Sequence, residues 1–122
     1  MEEATGRLDS PFDLDATLQR MGGDLRLFVK IVEFFMEDSG PLVTQIELGM
    51  QQANAKTVEQ ASHSLKGLLA NFSAEGGVRA AARLEEAGRT AQFAETPAML
   101  DDLKAELARL RRELQAYLPS QS

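Results

Sequence analysis

The stretch Ala61-Ser62-His63-Ser64-Leu65-Lys66-Gly67 decides how this chain is read, and it holds the single histidine of the 122 residues. A residue advances about 100° around an α-helix. On that wheel Val58, Ala61, Leu65, Leu68, Leu69 and Phe72 form one stripe. His63 points almost directly away from it, on the side shared by Lys56, Glu59, Gln60, Lys66, Gly67, Ala70 and Asn71. The spacing predicts a helix that buries one face and presents a histidine, a lysine and a glycine on the other.

Outward toward the N-terminus, Asn54 marks a turn and can cap the histidine helix. Before it, Leu42, Val43, Ile46, Gly49, Met50 and Ala53 align over residues 41–53. Ser39-Gly40-Pro41 interrupts the pattern, because proline cannot donate the next helical hydrogen bond. Either a sharp kink or a break into two helices is expected there. Over 24–37, Leu25, Phe28, Val32, Phe35 and Met36 recur at helical spacing. Leu27, Ile31 and Phe34 widen that stripe, so this helix is expected to be deeply buried. Asp24 can cap it. A short helix precedes it, opened by Asp13 and closed by Gly22-Gly23, with Leu14, Leu18 and Met21 on its apolar edge. Residues 1–11 show no periodicity and read as a flexible leader.

Outward toward the C-terminus, Phe72-Ser73-Ala74-Glu75 is a short connection. Ser73 is the expected N-cap of the next helix, and Glu75 suits the positive end of its dipole. Over 75–91 that helix carries a stripe of mostly small residues: Gly77, Ala80, Ala81, Leu84, Ala87, Gly88 and Ala91. Such residues let two helices approach at the short end of the usual ~8–10 Å. Thr96 is read as the cap of the last helix, with Pro97 in its first turn. Leu100, Leu103, Leu107, Leu110, Leu114 and Tyr117 then alternate in steps of three and four, a seam suited to bundle packing within a monomer. Pro119 ends it, leaving 120–122 as a tail. No strand pattern appears. The expectation is an all-α, antiparallel four-helix bundle with a short additional N-terminal helix, as one domain over 12–119.

The hairpin between the histidine helix and its successor has a consequence. If the chain reverses near Ala74, His63 and Glu85 lie level, eleven positions on either side. Glu85 can then reach the imidazole; a surface pair with Arg89 is the alternative.

Composition narrows the chemistry. With no cysteine there is no disulfide, zinc–thiolate site or thiol nucleophile, and one histidine makes no multi-histidine metal site. A net charge of −6 disfavours nonspecific nucleic-acid or anionic-membrane binding. No apolar run approaches the ~20 residues that cross a bilayer, and the acidic first residues lack a signal-peptide core. A cytoplasmic protein is expected. No phosphate-cradling loop, acidic metal cluster or base–nucleophile pair is present. An imidazole with one free ring nitrogen is nucleophilic at neutral pH. A Glu85 carboxylate accepting from Nδ1–H leaves Nε2 free. Lys66, one helical turn away, supplies a point charge for a phosphoryl group. Gly67 clears surface for a partner, at ~1 kcal/mol against alanine in a helix.

His63-Ser64-Leu65-Lys66-Gly67 followed by Leu84-Glu85 resembles the signature of histidine phosphotransfer (HPt) domains, and the likeness extends from Phe12-Asp13-Leu14 through the leucine helix. The resemblance implies a four-helix bundle whose histidine, His63, accepts a phosphoryl group from a receiver-domain aspartate and passes it to another receiver. It implies a phosphocarrier without kinase activity, served by a hybrid histidine kinase and response-regulator receivers. No cofactor or metal of its own is implied; Mg2+ belongs to the partner receiver. Lys66 and Gly67 match the positions beside the histidine, and Glu85 matches the Gln/Glu that bonds the imidazole. The receiver is expected to dock over Ser64, Gly67 and Leu68, with Leu14, Leu18 and Met21 as the N-terminal contribution; those three also read as plain core. The chain departs from the family pattern at Leu68-Leu69, where small residues are common. It departs again at Ser73-Ala74, where Gly-Ala is common and where Asn71 can take the left-handed conformation instead. Gly77 replaces a larger apolar residue and is expected to loosen the following helix. The competing function is a helical adaptor or dimerisation module that carries no phosphoryl group.

Overall fold

Each of the first three helices begins at a short polar side chain that takes up a free backbone N–H. Asp13 Oδ1 accepts from Ala16 N (3.0 Å) and opens α1, Leu14–Arg20. Asp24 Oδ1 accepts from Leu27 N (3.1 Å) and opens α2, Leu25–Gln51. Asn54 Oδ1 accepts from Thr57 N (3.1 Å) and opens α3, Ala55–Ala70. α4 (Glu75–Thr90) and α5 (Thr96–Gln115) follow, both without a side-chain cap. These helices belong to a computed structural model that describes residues 12–118, among which no strand occurs. The leader expected over 1–11, the stop at Pro119 and the tail over 120–122 lie outside the described residues.

Facing pairs reveal an antiparallel hairpin of α3 and α4. Leu69 meets Gly77, His63 meets Glu85, and the backbone of Glu59 meets Gly88. As one number falls the other rises. α5 runs antiparallel to α2 in the same way: Lys104 Nζ pairs with Glu47 Oε2 at 2.7 Å, and Arg111 donates to Ser39 Oγ at 2.6 Å. α2 to α5 thus close an up-and-down four-helix bundle, as expected.

The α3–α4 contact is tight because its residues are small. A Cβ on Gly88 would lie 2.5 Å from Glu59 N and 2.9 Å from Ala55 O, both backbone atoms. Gly77 does not loosen α4. A Cβ there would stand 2.8 Å from Leu69 Cδ2, so Leu69 occupies the space a larger residue would have taken. Ala91 leaves the predicted stripe. It is exposed and left-handed (φ 56°) at the C-cap, where the chain turns out of the helix.

α2 is continuous through Pro41, not broken. Gly40 and Pro41 stand on the solvent side, so the carbonyl of Glu37 that loses its donor lies on that side as well. The opposite side keeps one buried stripe across the interruption: Phe28, Val32, Phe35, Ser39, Ile46 and Gly49. The helix is not deeply buried all round either. Leu25, Leu27 and Phe34 are 64%, 42% and 49% exposed, because they lie beyond the edge where α2 meets its neighbours.

Two predicted caps also fail. Ser73 sits one residue too early and adopts a left-handed backbone (φ 52°), while Asn71 stays right-handed (φ −56°). The N-cap is Ala74, and the Ser73 hydroxyl instead accepts from Arg20 (2.8 Å). Thr96 is the first residue inside α5; buried, it donates its hydroxyl to the Phe93 carbonyl (2.8 Å), and Glu95 is the N-cap. The leucine seam is buried from Leu100 to Leu114, but Tyr117 lies past the helix end and is 39% exposed. Its ring still meets Phe12 and Phe28 edge-on, in an aromatic cluster with Phe72 and Phe35. α1 is tied to this end, where Asp13 N donates to Phe72 O (3.1 Å) and Arg20 to Ala70 O (2.6 Å).

Candidate functional site

α3 fixes the site by what it buries. Val58, Leu65 and Leu69 have no exposed surface, and Ala61 has almost none. Seating that stripe leaves the opposite side in water. The His63 side chain is 67% exposed, and Ser64 and Gly67 are exposed with it. A Cβ on Gly67 would meet nothing within 4 Å, so this glycine is not a helix-packing device.

The register of the α3–α4 hairpin brings Glu85 to the imidazole. Its Oε2 lies 2.9 Å from His63 Nδ1. An ionised carboxylate only accepts, so Nδ1 carries the proton. The neutral ring then keeps its lone pair on Nε2. Glu85 does not pair with Arg89, which is bound to Glu86. Its other oxygen, Oε1, lies 2.6 Å from Lys66 Nζ. Glu85 is thus clamped by two groups of α3 placed three residues apart, on one side of that helix. The Lys66 hydrogen bond is the main influence holding the Glu85 carboxyl below its ordinary pKa. Burial opposes it, and the His63 contact adds to it.

A shallow, open depression lies over the imidazole. Gln45 of α2, Lys56, Gln60, His63 and Ser64 of α3, and Glu85 of α4 line it. Gln45 escaped sequence reasoning, although reflection about the α2–α3 turn sets it level with the histidine stretch. So did an exposed apolar row on α2, in which Leu27, Phe34, Pro41 and Leu48 recur every seventh residue. Leu68, Leu14, Leu18 and Met21 are half-buried and pack on the core, rather than standing free around the histidine. Among the described residues no group of three or more His, Cys, Asp and Glu is placed to hold a metal ion. No helix among them is long and apolar enough to cross a membrane.

Residues 30–113, which span the histidine hairpin, most of α2 and most of α5, match the Hpt domain family. The chain belongs to the Hpt domain family. Its fold is similar to the crystal structure of histidine-containing phosphotransfer protein B (HptB) from Pseudomonas aeruginosa PAO1. The TM-score is 0.81 at 19% identity, covering 88% of this chain and 94% of that one, a likeness that speaks for the fold. No curated protein matches the chain. Hpt domains are phosphocarriers, not kinases, and act with receiver domains in phosphorelays. Membership of the Hpt family therefore favours the phosphocarrier over the adaptor.

Proposed function

We propose that His63 is the phosphoacceptor of this Hpt domain. The observation that carries the reading is an imidazole 67% exposed whose Nδ1 is held by Glu85 at 2.9 Å. That contact selects the tautomer in which Nε2 is the nucleophile. The Nε2 lone pair attacks the phosphorus of an aspartyl phosphate on a receiver domain. The N–P bond forms as the O–P bond breaks, and the electron pair returns to the aspartate carboxylate. The Nδ1 proton stays on the ring, where Glu85 stabilises the positive charge that develops. The reverse step delivers the phosphoryl group to a second receiver.

Lys66 offsets phosphoryl charge, and Gly67 and Ser64 leave room for the partner's backbone. The receiver lies over the depression and against the α2 row of Leu27, Phe34, Pro41 and Leu48. That row reaches the depression where Gln45 stands between Pro41 and Leu48 on the same side of the helix. Leu14, Leu18, Met21 and Leu68 contribute only their partly exposed edges to the docking surface. The domain spans 12–119, acts as a cytoplasmic monomer with a hybrid histidine kinase upstream, and uses Mg2+ only through its partner receiver.

The direct test is to phosphorylate the protein with a phosphorylated receiver and map the modification under alkaline conditions by mass spectrometry. A phosphoryl group on His63 is expected; one on any other residue refutes the assignment.

A further inference from the structure

In the resting protein the Lys66 ammonium is already engaged. It lies 2.6 Å from Glu85 Oε1, while Glu85 Oε2 accepts a hydrogen bond from His63 Nδ1–H at 2.9 Å. Lys66 lines no part of the depression over the imidazole and exposes 32% of its side chain, against 67% for His63. The cation assigned to the phosphoryl group therefore rests on a carboxylate of the facing helix. At that distance the ammonium is held at Glu85, and any move toward a phosphoryl group on His63 is made against that contact.

We infer that Lys66 is handed over: phosphorylation of His63 draws its ammonium from Glu85 to the phosphoryl group, so Glu85 limits how firmly that group is held. The inference rests on His63 being the acceptor. Helical spacing puts Lys66 beside His63 as well as facing Glu85. The two carboxylate oxygens have separate partners, so Lys66 can leave Oε1 while Oε2 keeps its bond to Nδ1. The pair is partly in water, which takes the place of the departing ammonium at small cost. The bonds made and broken are unchanged: N–P forms, the aspartyl O–P breaks, and the Nδ1 proton stays. The only additional event is the exchange of one ion contact for another.

The test is a double-mutant cycle on the equilibrium partition of phosphoryl groups between a receiver and this protein. Wild type, Lys66→Met, Glu85→Gln and the double variant are compared. Glutamine keeps an oxygen for Nδ1–H and removes the charge. The handover predicts that Lys66→Met costs more occupancy of His63 in the Glu85→Gln background than in wild type, by roughly two- to fivefold, the scale of a partly exposed ion pair. Equal costs in the two backgrounds overturn it, because Lys66 is then not shared. A smaller cost in the Glu85→Gln background also overturns it, because Lys66 then acts only through Glu85. Failure of the acceptor assignment looks different: wild type itself takes no label at His63.

Discussion

The two sides of α3 obey different rules. On the side facing α4 and the core, contact is limited by backbone, and Gly88 has no room for one more carbon beside Glu59. On the other side His63 and Gly67 stand in water, and a Cβ on Gly67 meets nothing. Size decides the first side; hydrogen-bond direction and charge decide the second. The two sides are not independent. The close approach on the dry side sets the register that delivers Glu85 to His63 on the wet side.

Substitutions on the two sides should differ in their effect on stability. The largest belongs to Gly88→Ala. Overpacking costs ~1–3 kcal/mol and here outweighs the ~1 kcal/mol that alanine gains in a helix, so the urea midpoint should fall. Ser62→Ala should move it the other way. The Ser62 hydroxyl is buried and has no hydrogen-bond partner in the structure, so removing it should stabilise by about 1 kcal/mol. A drop in stability would reveal a partner for that hydroxyl.

Gly67→Gln tests the opposite side. Glutamine suits an exposed helix position better than glycine, so stability should hold or rise by up to ~1 kcal/mol. Receiver affinity in a titration should fall as the longer side chain obstructs docking. If this variant and Gly88→Ala both destabilise the fold, the two sides do not differ as described.

The smallest effect on stability belongs to Glu85→Ala. Its melting midpoint at neutral pH should barely move, while phosphotransfer slows because the Nδ1–H tautomer is no longer selected. Unchanged transfer kinetics would remove Glu85 from the mechanism. The pH dependence has a definite sign. The Glu85 carboxyl titrates below its ordinary value, chiefly because of Lys66. Its contribution is therefore complete above that ordinary value and is lost as pH falls through the lowered one. Whatever small difference in stability separates wild type from the variant at neutral pH should shrink at acid pH.

What could be read from the sequence was local or periodic. The caps at Asp13, Asp24 and Asn54, the buried stripe of α3 and the level of His63 with Glu85 follow from near neighbours and one reflection about a turn. What could not be read depends on neighbours far along the chain. Pro41 continues α2 because the buried row on the other side of that helix does not stop there. Ser73 is not a cap, because the tight turn takes its backbone and Arg20, fifty-three residues away, takes its hydroxyl. Phe34 and Leu27 count as core by pattern, yet they lie beyond the packed edge. The Lys66–Glu85 contact was hidden because level pairing nominates one partner for each residue, whereas a carboxylate has two oxygens.

All of this depends on an outward imidazole acting as nucleophile. The most direct measurement incubates wild type and His63→Gln with the same phosphorylated receiver and follows acid-labile, alkali-stable label. Uptake by wild type and none by the variant is the predicted result; equal uptake by both contradicts it.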